Sequence, residues 1–137
     1  MTEMDVDTIV SFRILGTDVD PDVVSAQLGM QPDDHHRVGD AVSGRSGAVR
    51  KHGYWALRST NHLASSVDAN QHIDWLVQTL GGKLPILHTF AERGAMVDVT
   101  LAVHTSAGHG GPVLRPEVLG RLASLGLAVN LDLYPDA

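Results

Sequence analysis

The chain has 137 residues, a formal net charge of -6 and a mean hydropathy of zero. This length suits one domain with a single core, and the composition excludes a disordered tail and a coiled coil. The absence of cysteine excludes disulfides, thiol nucleophiles and sulfur-ligated zinc. No apolar run is long enough to span a membrane, and the first residues lack the pattern of a signal peptide. We therefore expect one cytoplasmic domain over residues 1–137, without a membrane segment.

The charged residues are unevenly distributed along the chain. Half of the ten basic residues lie in one short segment: Arg37, Arg45, Arg50, Lys51 and Arg58. The segment around Arg45, Arg50 and Lys51 is either a solvated loop or a loop that faces an anion or an acidic partner. An acidic net charge argues against nucleic-acid binding, because such proteins normally neutralise phosphates with a basic surface. Binding of nucleic acid through these three residues is therefore the weakest of the functional hypotheses.

The first half of the chain predicts a strand, a helix, a loop and a strand. Residues 8–15 alternate between apolar and polar side chains, as in a half-buried strand. A helix follows, with Asp20 as its N-cap and Gly29 as its end. Residues 31–52 are rich in glycine, proline and serine and predict a long mobile loop. Residues 54–59 predict the second strand.

The second half predicts three helices and two strands. Residues 66–80 have a helical apolar stripe, with Ser66 as the expected cap, and residues 84–90 predict a short second helix. Residues 97–103 form an alternating strand. A helix that begins at Pro116 leads to a last strand over residues 127–134. In that strand the alternation predicts that Leu127, Val129, Leu131 and Leu133 point inward.

These elements form two βαβ units with one extra helix between them. They predict an α+β ferredoxin-like sandwich with a four-stranded, mainly antiparallel sheet. One face of this sheet packs on the helices, which leaves a polar outer face as the candidate binding surface. Its predicted members are Arg13, Tyr54, Arg58, Asp98, Thr100, Asn130 and Asp132. This face is either simply solvated or a platform for a ligand or a protein.

Several short motifs, in order, resemble one family. They are Gln31-Pro32-Asp33, Arg37-Val38-Gly39-Asp40, the segment GYWALRS from Gly53 to Ser59, His72-Ile73, and Leu131-Asp132-Leu133-Tyr134. This pattern resembles the bacterial family called domain of unknown function 4279, over nearly the whole chain. Arg115 departs from the small capping residue expected before the last helix. The resemblance supports one domain, and it implies no reaction and no catalytic residue.

No motif for a known chemistry is complete. Eight histidines are present, and the loop over residues 33–36 (DDHH) could supply metal ligands, but no metal-binding spacing occurs. The glycine-rich segment 106–112 lacks the lysine of a phosphate-binding loop, and no serine sits in a nucleophile motif. We expect no cofactor, no metal and no catalytic residue. Trp75 lies among polar neighbours and is either covered by the long loop or exposed at an interface.

Two classes of function therefore remain. The first is a non-enzymatic protein-interaction module that binds another protein or self-associates. One version is an immunity-like protein whose acidic surface masks a basic enzyme. The alternative is a protein or enzyme that binds a small ligand or a metal through the outer sheet face and the 33–36 loop.

Overall fold

The computed structural model describes residues 6–106 and 111–135, which contain five strands and four α-helices. In chain order these are β1 (Val6–Gly16), α1 (Pro21–Leu28), β2 (Asp34–His36), β3 (Gly53–Arg58), α2 (Ala69–Leu80), α3 (Leu84–Glu92), β4 (Met96–Thr105), α4 (Pro116–Ala123) and β5 (Ala128–Pro135). A short 3₁₀ helix (Ser59–Asn61) follows β3.

The strands form one mixed sheet in the order β2-β3-β1-β4-β5. β2 pairs antiparallel with β3, whereas β4 and β5 are parallel neighbours. The α+β class is confirmed. The prediction of four strands is wrong, because three residues of the expected loop form β2. The ferredoxin-like arrangement is not confirmed: it splits each βαβ unit with an intervening strand, and here β4 and β5 lie side by side.

The described residues group into two compact units. The first unit contains residues 6–12, 58–82, 98–106 and 111–135. The second contains residues 13–57 and 83–97. That the chain behaves as a single domain stays a prediction.

In the first unit, α2 packs against α4. The N-cap of α2 is Asp68, whose carboxylate accepts a hydrogen bond from the Asn70 backbone N–H at 2.9 Å. The helix therefore begins two residues later than a cap at Ser66 would place it. Arg115 gives α4 no side-chain cap, and its backbone N–H instead donates to Asn70 Oδ1 at 2.9 Å. The buried Asn70 amide thus links the starts of both helices.

In the second unit, α1 has the predicted ends. Asp20 Oδ1 accepts from the Asp22 N–H at 3.0 Å, and Gly29 adopts the left-handed conformation that ends the helix. Trp55 is fully buried, as expected of a core residue, and its indole N–H donates to Ser25 Oγ at 3.0 Å. The segment 31–52 contains β2 and, further on, an Ala41–Val49 bridge. It is therefore less irregular than its composition predicts.

Candidate interaction surface

β5 is an edge strand, and in the described structure it pairs with β4 alone. Adjacent positions in the β4–β5 register carry aliphatic side chains in both strands: Val99 with Val129, Leu101 with Leu131, and Val103 with Leu133. Side chains alternate between the faces of a sheet, so these six lie on one face. This face is the one predicted to pack on the helices.

The two strands differ sharply in burial. The three β4 residues are at most 5% exposed, whereas Val129 is 37%, Leu131 67% and Leu133 66% exposed. The prediction that the β5 residues point inward is therefore wrong about their burial. α4, which lies between the two strands in the sequence, buries Val118 and Leu122 and packs against α2. We call Val129, Leu131 and Leu133 the β5 strip.

The β5 edge has little of the protection that edge strands usually carry. Natural edge strands commonly use lysine, proline or inward-pointing charges to prevent pairing with other chains. Across β5 the single charged residue is Asp132, and the single proline, Pro135, is the last residue of the strand. An edge strand with exposed aliphatic side chains offers both unpaired backbone groups and apolar surface to another polypeptide.

The opposite face of β4 and β5 carries four of the predicted platform residues. Asp98 is buried, and Asn130 Nδ2 donates to its Oδ2 at 3.3 Å. Thr100 is the register neighbour of Asn130. The Tyr134 hydroxyl donates to Asp132 Oδ2 at 2.6 Å, and this hydrogen bond raises the pKa of the tyrosine. The alternation thus brings Asp98, Thr100 and Asn130 together, with Asp132 further along the strand.

The remaining predicted platform residues are Arg13, Tyr54 and Arg58. In the second unit, an Arg13 guanidinium nitrogen lies 3.1 Å from Met96 Sδ. Tyr54 stacks on His36 with 5.0 Å between ring centroids. Arg58, in the first unit, is exposed. That all seven candidates form one binding platform stays a prediction.

The basic segment forms a small exposed hairpin. The Gly39 N–H donates to the Arg50 carbonyl at 2.8 Å, and the Arg50 N–H donates to the Asp40 carbonyl at 2.7 Å. Arg45 lies near the tip of this hairpin, where its N–H donates to the Val42 carbonyl. Both Arg45 and Lys51 are exposed. The geometry fits a solvated arm and does not by itself point to an anion.

Arg37 is engaged elsewhere in the second unit. Its guanidinium donates to Asp22 Oδ2 at 2.6 Å. This hydrogen bond raises the pKa of Arg37 and lowers the pKa of Asp22. Both side chains are largely solvated, so the pair stabilises the fold only slightly.

Trp75 is half-buried on α2, and it stacks on His62 with 4.7 Å between ring centroids. The contact comes from the segment that follows the 3₁₀ helix. His62 therefore covers part of the indole. The sequence predicted either that the long loop covers Trp75 or that Trp75 is exposed at an interface.

A serine and a histidine meet inside the first unit, in a pair that sequence reasoning missed. Ser59 Oγ lies 2.6 Å from His72 Nδ1, and His72 Nε2 lies 2.9 Å from the Ala64 carbonyl oxygen. A carbonyl can only accept, so Nε2 carries the proton and Nδ1 accepts from the Ser59 hydroxyl. The hydroxyl oxygen in turn accepts from the Val10 N–H at 2.8 Å.

This pair resembles part of a nucleophile–base arrangement, but its environment excludes that role. Both Ser59 and His72 are 0% exposed, so a substrate cannot reach the hydroxyl. Burial lowers the pKa of His72, which favours the neutral form of the imidazole. The hydrogen bonds therefore anchor β1 and α2 to the segment between them.

A surface pocket lies in each of the two units. One of about 400 Å³ lies in the first unit, beside the start of α2, and its lining includes Thr8, Asp68 and Arg115. Hydrogen bonds from Asn70 lower the pKa of Asp68, whose carboxylate lies 4.0 Å from the Arg115 guanidinium. These opposite charges offset each other, so the pocket has no dominant charge for an ionic ligand. The other pocket, of about 130 Å³, lies in the second unit beside residues 16–20.

The histidines do not assemble a metal centre within residues 6–106 and 111–135, where no group of three or more His, Asp or Glu side chains could hold an ion. His36 is partly buried, and burial and the nearby Arg50 lower its pKa. His109 and most of the glycine-rich segment lie outside the described residues. Across those same described ranges, no helix has both the length and the apolar character needed to cross a membrane.

The described residues define an α+β protein with a mixed five-stranded sheet, an edge strand with exposed aliphatic side chains and a buried serine–histidine pair. The chain belongs to the family described as Domain of unknown function (DUF4279), whose model matches residues 6–136. The resemblance predicted from the short motifs is thereby confirmed. No curated protein and no solved structure matches this chain.

Proposed function

We propose that this protein is a cytoplasmic, non-enzymatic protein-interaction module that binds an extended segment of polypeptide along β5. The observation that carries the proposal is the exposure of the β5 strip beside buried neighbours on β4. An added strand would satisfy the open backbone groups of β5, and its alternate side chains would cover the strip.

Stable binding along β5 requires both the apolar contacts with the β5 strip and the main-chain hydrogen bonds. Full burial of a leucine side chain contributes about 1.5–3 kcal/mol. Leu131 and Leu133 are each about two-thirds exposed, so covering both contributes roughly 2–4 kcal/mol. Association costs about 4–15 kcal/mol in lost freedom of motion. The strip alone is therefore insufficient, and main-chain pairing along the open edge supplies the remaining affinity and the direction of the bound segment.

Site-specific photo-crosslinking tests this function. We would replace Leu131 by the photo-reactive residue p-benzoylphenylalanine and irradiate cells of the native host. The matched control carries the same residue at Val113, which is apolar, 82% exposed and outside β5. We expect one dominant adduct of defined mass from position 131 and none from position 113.

A second substitution in the crosslinking protein completes the test. Adding Leu133→Lys to the position-131 protein places a charge on the strip and should abolish the adduct. No adduct at position 131, the same adducts at both positions, or an adduct that persists with Leu133→Lys would each contradict the proposal.

A further inference from the structure

We propose that the polypeptide bound along β5 is β5 of a second copy of this chain, paired antiparallel about a twofold axis at Leu131. This inference rests on the proposed function, because it names the occupant of the same edge. The result would be a symmetric dimer with one continuous sheet.

The sequence of β5 is complementary to itself in this register. Leu131 faces Leu131 of the second copy, and Val129 faces its Leu133, so every member of the strip meets another aliphatic side chain. On the opposite face, Asn130 faces Asp132 of the second copy. An amide opposite a carboxylate can form a hydrogen bond, and no like charges oppose each other.

Neighbouring registers lose this match. An axis at Asp132 places the two carboxylates opposite each other, which is destabilising. An axis at Asn130 moves Leu133 beyond the end of the paired strand. An axis between two residues would pair each strip residue with a residue from the polar face of the second copy. The two strips would then lie on opposite faces of the joined sheet, because side chains alternate strictly along a strand.

Asn130 and Asp132 can each form a further hydrogen bond across the proposed interface. Asp132 Oδ2 accepts from Tyr134, which leaves its Oδ1 for a second donor. Asn130 uses one amide N–H toward Asp98, which leaves the other for a carboxylate of the second copy. The contacts seen within each copy can therefore persist in the dimer.

Net charge gives the dimer a characteristic salt dependence. Each copy carries a formal charge of -6, so two copies repel each other at low ionic strength. Added salt screens this repulsion, while the apolar contacts remain. Association should therefore become tighter between about 0.02 M and 0.5 M salt, whereas pairing with a basic partner would become weaker.

Disulfide trapping of the full chain tests the register, because the native sequence contains no cysteine. Directly opposed residues on antiparallel strands have Cα atoms about 4.5–5.5 Å apart, within disulfide range. Diagonal positions are about 7–8 Å apart and cannot be bridged without movement of the backbone. Leu131→Cys should form a covalent dimer under mild oxidation. Val113→Cys is the matched control and should stay monomeric.

A mixture of two single-cysteine variants tests the register, through the relative amounts of the disulfide-linked dimers that form. Asn130→Cys combined with Asp132→Cys should give mainly the mixed dimer, because these positions face each other. Each variant alone should give at least several-fold less homodimer. A mixed dimer no more than about twice as abundant as each homodimer, which is the ratio that random pairing gives, would overturn the Leu131-centred register.

Sedimentation of the unmodified protein separates this inference from the function on which it rests. We expect a mass of twice 14.6 kDa at high concentration, and Leu131→Arg should restore the monomer. At low concentration, where the wild type is also monomeric, the variant should have the same melting temperature as the wild type. A wild-type monomer at all concentrations and salt levels would refute the self-pairing. If position 131 still gave a specific crosslink to a different protein, the interaction function would stand and the second-copy proposal alone would fail.

Discussion

Removing the Ser59 hydroxyl should destabilise the fold more than its size suggests. Ser59→Ala deletes one oxygen atom, but that atom accepts from the Val10 N–H and donates to His72 Nδ1. Both partners are then left buried without a hydrogen bond. Each unsatisfied buried group costs about 1–3 kcal/mol, so the substitution should lower the free energy of unfolding by about 2–6 kcal/mol. Small domains are stable by only about 5–15 kcal/mol, so this is a large loss.

Urea unfolding followed by circular dichroism measures this effect. Ser65→Ala is the matched control: Ser65 Oγ donates to Asp7 Oδ1 at 2.9 Å, but the pair is only partly buried. We expect the control to lose less than about 1 kcal/mol. If Ser59→Ala unfolds within about 0.5 kcal/mol of the wild type, the assignment of Ser59 as the central buried hydrogen-bonding group is refuted.

Two further predictions follow from other buried polar groups. The neutral His72 does not take up a proton near its ordinary pKa of 6.5, but the unfolded chain does. The free energy of unfolding should therefore fall as pH decreases below about 6.5, by at most about 1.4 kcal/mol per pH unit for this group, and the fall should be shallower in His72→Gln. Asn70→Ala removes the amide that donates to the Val113 carbonyl and accepts from the Arg115 N–H, so it should cost about 2–4 kcal/mol. Urea unfolding across pH 5–8 measures both effects, and an unchanged pH slope in His72→Gln or a stability loss below about 0.5 kcal/mol in Asn70→Ala would contradict them.

Local sequence signals predicted the elements whose determinants are themselves local. Asp20, the following proline and Gly29 specify both ends of α1 within ten residues. The start of α2 was misplaced because Ser66 and Asp68 are both good caps, and only the backbone geometry of the turn selects Asp68. β2 was missed for a related reason. Its three residues, Asp34–His36, have no strand-forming pattern and depend on pairing with β3.

The serine–histidine pair lay beyond sequence reasoning for a different reason. Ser59 and His72 are thirteen residues apart and share no motif, and either could equally have been a surface residue. The one available signal was that His72 falls next to Ile73 on the apolar side of α2. That signal indicates burial without naming a partner, since the partner is set by how the 3₁₀ helix packs on α2.

The β5 strip shows what alternation can and cannot predict. A period of two assigns Val129, Leu131 and Leu133 to one face, and the register with β4 agrees with that assignment. Whether a helix covers that face is decided by the position of the strand in the sheet, which the pattern of a single strand does not contain. A central strand with the sequence of β5 would be ordinary core. At an edge, the same sequence leaves aliphatic surface in water, and a partner that supplies the missing neighbour converts this exposure into binding energy.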